Sequence, residues 1–89
     1  MTARKFELTQ DFKTSRIPNN DGTRPMLYRI RALRSFGNVK RGDLGGYVES
    51  EKNLKHNDLC WIYGDAEVSR QAVVRDNAKV AGRACLLDR

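Results

Sequence analysis

The 89-residue sequence is long enough for one small domain, with 39% apolar residues and a net charge of +6. No run approaches the 18 consecutive apolar residues of a membrane span, and MTARKFELTQDF has no apolar signal-peptide core, so a folded protein kept in the cytoplasm is expected. The charge is uneven: residues 1–44 hold ten Lys/Arg and four Asp/Glu, whereas residues 45–89 hold seven of each. All the excess therefore precedes Gly45-Gly46, and a basic first part expects an acidic partner.

In chain order, KFELTQDFK offers a short strand with Phe6 and Leu8 on one face. PNNDGTRP is a loop with a turn at Asp21-Gly22. MLYRIRAL, residues 26–33, alternates as a strand, with Tyr28, Ile30 and Ala32 on one face and Arg29 and Arg31 on the other. Residues 1–36 read as a small antiparallel hairpin, and residues 1–44 as a basic N-terminal cap on a repeat unit at 45–89. GNVKRGDLGGY is glycine-rich but lacks both phosphate-loop patterns, so its glycines are expected to supply turn angles rather than cradle a nucleotide.

The last third repeats. Alanines at 66, 72, 78 and 84 are each followed two residues later by Val68, Val74, Val80 and Leu86. A helix turns about 600° in six residues, which scatters these pairs over three directions and leaves no apolar stripe. A strand puts each Ala and its partner on one face, so six residues read as a short strand and a corner. Three sides to a coil make residues 18 apart stack: Cys60 on Ala78, Ile62 on Val80, Ala66 on Ala84, Val68 on Leu86, with Leu54 and His56 in the Ala and Val rows. Polar residues such as Asp65, Glu67, Ser69 and Arg70 fall outside this interior, and Gly64-Asp65, Asp76-Asn77 and Gly82 suit the corners. The expected fold is all-β, a hexapeptide-repeat β-solenoid of about two coils behind an N-terminal antiparallel strand cap. Cys60 then faces in and Cys85 out, so the two stay reduced thiols, and no Cys/His cluster expects a metal.

LYRIRALRSFGNVKRGDLGGYVESEKNL followed by CWIYGDAEV resembles the start of a bacterial and phage hexapeptide-repeat family of obscure function, over about residues 27–89. The resemblance implies a left-handed β-helix-like solenoid and places Gly42, Gly45, Gly46 and Trp61 at the start of the first coil. Relatives usually continue for many more hexads than the two coils present here.

Three groups of residues are candidate sites. Arg29, Arg31, Arg34, Lys40 and Arg41 form an acid-free basic run that suits phosphate or carboxylate, with Tyr28, Phe36 and Tyr47 nearby to stack on bases. Ala84, Cys85, Leu86 and Leu87 end the sequence as an uncapped apolar layer, which a second copy would cover as a two-fold homodimer. His56, the single histidine, is the one candidate base, with Asp58 nearby read as a turn residue. The main expectation is a non-enzymatic interaction module without a cofactor, of phage type, binding an acidic protein surface or nucleic acid, for instance a host nucleic-acid-handling complex inhibited as counter-defence. The alternatives are a minimal acyltransferase-like enzyme using His56, and a purely structural assembly piece.

Overall fold

The computed structural model describes residues 4–19, 21–56 and 59–86. Among them the regular elements are all strands apart from one 3₁₀ turn at Glu51–Asn53: β1 (Phe6–Thr14), β2 (Met26–Ala32), β3 (Leu44–Val48), β4 (Trp61–Ile62), β5 (Glu67–Val68), β6 (Lys79–Val80) and β7 (Cys85–Leu86). The protein is all-β. Its main sheet is mixed, in the order β1-β2-β3-β5-β7, and β4 and β6 form a second, two-stranded sheet.

β1 and β2 pair antiparallel, with Phe6 opposite Ala32 and Thr14 opposite Met26. β1 is longer than the sequence pattern suggests, because Thr9, Gln10 and Asp11 bulge opposite the single residue Arg29 and pairing resumes at Phe12. The Thr9 hydroxyl closes the bulge, donating to the Arg29 carbonyl at 2.9 Å while accepting from the Asp11 amide at 3.2 Å.

β2 and β3 pair antiparallel with a second irregularity, where Gly45 and Gly46 together face Ile30. Neither glycine is there for a turn angle. A Cβ on Gly45 would meet the Ile62 carbonyl oxygen at 2.6 Å and the Trp61 ring at 2.8 Å, and one on Gly46 would meet the Ala66 carbonyl oxygen at 2.6 Å. The pair lets one backbone lie against another. The turn-angle role expected for this stretch belongs instead to Gly37 and Gly42, whose φ angles are 51° and 93°.

β3 is the pivot of the sheet. It pairs antiparallel with β2 on one side and parallel with β5 on the other, and β5 pairs parallel with β7. Ile62 lies opposite Val80 and Val68 opposite Leu86, as the 18-residue spacing requires. Upstream the spacing is 20: Val48 faces Val68, and Leu54 faces Val74. Leu54, not His56, therefore occupies the valine row. Seven residue steps separate Leu54 from Trp61, against five from Val74 to Lys79, so the two extra residues fall in the corner that contains His56. The corners at Gly64, Asp76 and Gly82 have positive φ, and so does Arg70, at a corner the sequence did not mark.

Residues directly opposite in a ladder share a face. One face of the main sheet therefore carries a continuous apolar row, Phe12–Tyr28–Val48–Val68–Leu86. Its central members join Phe6, Ile30, Ala32, Leu54, Cys60, Trp61, Ile62, Ala66, Val74 and Val80 in the core. The other face carries Arg29–Tyr47–Glu67–Cys85. The β1–β2 connection lies across this second face as a strap. The Arg16 guanidinium donates to Glu67 at 2.9 Å, to the Asp65 carbonyl at 3.2 Å and to the Arg83 carbonyl at 3.0 Å. Arg70 reaches back to the Asn19 side chain and the Pro18 carbonyl, both at 3.0 Å. Glu67 and Ser69, expected at the solvated surface, are consequently buried.

Neither cysteine is in a disulfide, with Cys60 buried and Cys85 partly exposed. No helix among the described residues is long and apolar enough to cross a membrane.

Candidate functional site

The five cations of the basic run separate into two groups. Arg29 is half-buried and occupied: its guanidinium donates to the Tyr47 hydroxyl at 2.8 Å and to Asp65 at 3.3 Å, and lies 4.6 Å above the Tyr47 ring. Its Nε is 3.5 Å from the Asp11 carboxylate, an ion pair without hydrogen-bond geometry. Burial works against the Arg29 charge, but the Tyr47 hydroxyl and the two carboxylates more than offset it, so the group stays protonated. Arg31 pairs with Glu7, its cross-strand neighbour on β1.

Arg34, Lys40 and Arg41 form the second group, all exposed on the connection between β2 and β3. That connection is folded: Phe36 and Val39 bridge, and the Gly42 amide donates to the Ala32 carbonyl. The Lys40 and Arg41 amides donate to Asp43 and Ser35. Arg34 donates to the His56 carbonyl at 3.0 Å. None of the three makes an ion pair among the described residues.

The aromatic side chains meant to stack on bases are otherwise engaged. Tyr47 is buried between the Lys13 ammonium, 4.4 Å from its ring centre, and Arg29. Phe36 meets Trp61 edge-on at 5.3 Å, and Tyr28 packs beside Phe12 at 6.0 Å.

The sequence pattern gave no sign of the Glu67 cluster. Its carboxylate accepts from the Ser15 hydroxyl and the Arg16 amide, each at 3.1 Å, and pairs with Lys13 at 3.1 Å and Arg16 at 2.9 Å. Burial alone would raise its pKa, but these donors more than offset burial and hold the carboxyl below its ordinary range. An acid in an outward strand position with no cation at i±2 carries no local signal, because its partners arrive from 51 to 54 residues upstream.

His56 is also tied down. Its Nδ1 accepts from the Lys5 amide at 2.9 Å, its Nε2 lies 3.5 Å from Glu51, and its ring stacks on Phe6 at 4.4 Å. Burial lowers its pKa, helped by Arg4 and Lys5, while Glu51 pulls the other way. The imidazole is therefore neutral at ordinary pH, with its proton on Nε2 and its lone pair occupied. Asp58 lies outside the described residues. Among those described, no three His, Cys, Asp or Glu side chains are grouped to hold a metal ion.

At the last layer, β6 pairs only with β4 and β7 only with β5 among the described residues. Their outer edges face the same end of the molecule, because every parallel pairing stacks later chain on earlier. Ala84 and Leu86 are exposed there, Leu86 by 39%, with Cys85 partly exposed between them. Leu87 lies outside the described residues.

No family model matches the chain. It is similar to the uncharacterized acetyltransferase YdcK of Escherichia coli (strain K12), with 29% identity over 86 residues, covering 93% of this chain. The chain spans about a quarter of that relative's length, 26%.

Proposed function

We propose that the chain is a short hexapeptide-repeat β-solenoid, capped by the β1–β2 hairpin, that works as an interaction module. It self-associates through Ala84, Cys85, Leu86 and Leu87 and presents Arg34, Lys40 and Arg41 to an acidic partner. The observation that carries this reading is the asymmetry of the two ends. The hairpin covers one end with Phe6, Ile30 and Ala32, whereas among the described residues β6 and β7 have outer edges without a strand partner beside an exposed leucine. Stable proteins cover such edges. Because one end is sealed, end-to-end contact closes at two copies rather than growing a filament. Arg29 and Arg31 serve the fold in this reading, which narrows the partner-binding set to the three exposed cations that make no ion pair among the described residues.

Light scattering after size exclusion tests the assembly: a dimer is expected, with Leu86→Asp reducing it to a monomer. A wild-type monomer across the accessible concentration range overturns it. For the partner, nucleic acid is titrated at rising salt, and phosphate contact predicts affinity that falls steeply with salt and is lost when Arg34, Lys40 and Arg41 become Ala. Absence of binding at low salt leaves an acidic protein surface as the partner.

Similarity to an acetyltransferase supports a second reading, in which the chain contributes to acetyl transfer with His56 as base. For that, the Lys5 amide would have to leave Nδ1. Acetyl-coenzyme A would then raise the melting temperature of the wild type and not of His56→Ala. An unchanged melting temperature in both removes this reading.

A further inference from the structure

We propose that His56 is a pH-sensitive latch: its neutral imidazole holds the start of β1 against the molecule, and protonation lets that segment go. The geometry is specific to the neutral form. Nδ1 accepts the Lys5 amide hydrogen at 2.9 Å, so its lone pair must be free of a proton. Adding that proton sets a donor against a donor. Turning the ring by half a revolution would bring Cδ2, not a nitrogen, to the amide, so no flip restores the bond. The stacked Phe6 ring, 4.4 Å away and inclined by 12°, holds the imidazole in this plane.

The surroundings add to the effect. Arg4 and Lys5 on the leading segment set two cations against a charge on the ring, and Arg34 from the β2–β3 connection donates to the His56 carbonyl. Lys52 and Lys55, both exposed, precede it in sequence. Glu51 is the carboxylate on the other side, 3.5 Å from Nε2, and it is shared with Arg4. Burial is the largest influence and disfavours the charged ring, Glu51 opposes it, and the balance lies below the ordinary 6.5. A group with a depressed folded pKa contributes stability that is present above its ordinary value and lost as pH falls through the folded one. The latch is thus closed at neutral pH and opens on acidification.

What it covers explains why release would propagate. Lys5 is fully buried, with its ammonium 2.7 Å from the Cys60 carbonyl oxygen, 3.3 Å from the Cys60 sulfur and 4.8 Å from the Phe36 ring. Once the amide is free, hydration of that ammonium favours further opening.

The single histidine makes the test direct. Proton NMR gives the His56 titration, and amide exchange of Lys5, corrected for its intrinsic pH dependence, gives the latch. The expected result is a midpoint below 6.5, with Lys5 protection falling about tenfold on the same midpoint. His56→Gln keeps a neutral acceptor, so its Lys5 protection is expected to stay flat between about pH 5 and 7.5. Should that variant not fold, Glu51→Gln serves instead: it removes the carboxylate that favours imidazolium, so both midpoints move down together. Lys5 protection that stays constant while His56 titrates, or that falls equally in His56→Gln, overturns the proposal.

Discussion

At one end of the molecule Phe6, Ile30 and Ala32 from the hairpin lie in one cluster with Trp61 and Ile62, and all five are buried. At the other end the equivalent interior positions, Ala84 and Leu86, are exposed, and in that last layer Val80 on β6 is buried. The parallel pairing is the same at both ends. What differs is the element beyond it: β3 accepts an antiparallel partner, and that pairing curls a non-repeating hairpin over the first layer. Parallel stacking of identical short strands has no such stop built in, so burial at each end is decided by what adjoins the repeat.

The sharpest way to break this comparison is to place a methyl group at each end. Gly46→Ala puts a Cβ into the Ala66 carbonyl and the Ile62 side chain, where backbone must move, and is expected to cost about 3 kcal/mol or more and to lower the urea midpoint sharply. Gly82→Ala, at the exposed end, meets nothing within 4 Å and carries only the strain of φ at 69°, about 1–2 kcal/mol. Equal losses in the two variants would mean that the ends are equally packed.

The repeat was legible because a period of six specifies interior rows directly, and the pairing of Ile62 with Val80 and Val68 with Leu86 follows from it. The register of the first layer was not legible. The two residues inserted between Leu54 and Trp61 leave no signal except that His56 spoils the valine row. The candidate basic site was only partly legible. Alternation correctly put Arg29 and Arg31 on one face of β2, but Asp11 from the bulge, Asp65 from the corner before β5 and Tyr47 from β3 converge on Arg29. Lys5 and Glu67 show the same limit: buried charges are fixed by tertiary neighbours, which local pattern cannot name.

Glu67 sharpens the comparison next, because its cluster ties the hairpin strap to the middle of the sheet. Glu67→Gln leaves Lys13 and Arg16 without a carboxylate and is expected to cost about 3 kcal/mol at pH 7. The sign with pH follows from its depressed folded pKa. Its stabilisation is complete above the ordinary carboxyl value of 4.5 and disappears as pH falls through the folded value, so wild type and Glu67→Gln converge in acid. His56 acts at higher pH, which separates the two in a stability-against-pH profile. A gap that persisted unchanged at low pH would show that Glu67 is held by packing rather than charge.

Leu86→Ala carries the smallest effect on the single chain and the most informative one. Its side chain is 39% exposed, so truncation removes little buried surface and leaves no enclosed cavity, and a loss under about 1 kcal/mol is expected at high dilution. Deleting the same row one layer deeper, Val68→Ala, is expected to cost about 2 kcal/mol or more, since Val68 is fully buried. The dilute values alone only restate exposure. Concentration is the discriminating variable: if a second copy covers the last layer, mass action adds dimer stability to the wild type, so the Leu86→Ala deficit grows as protein concentration rises. The Val68→Ala deficit, measured against the same wild type, should not grow, because that residue lies under the layer and not on it. A Leu86→Ala deficit that stays constant from dilute to concentrated protein would mean that the exposed end is simply solvated, and that an unpaired parallel edge of two short strands is tolerated without a partner.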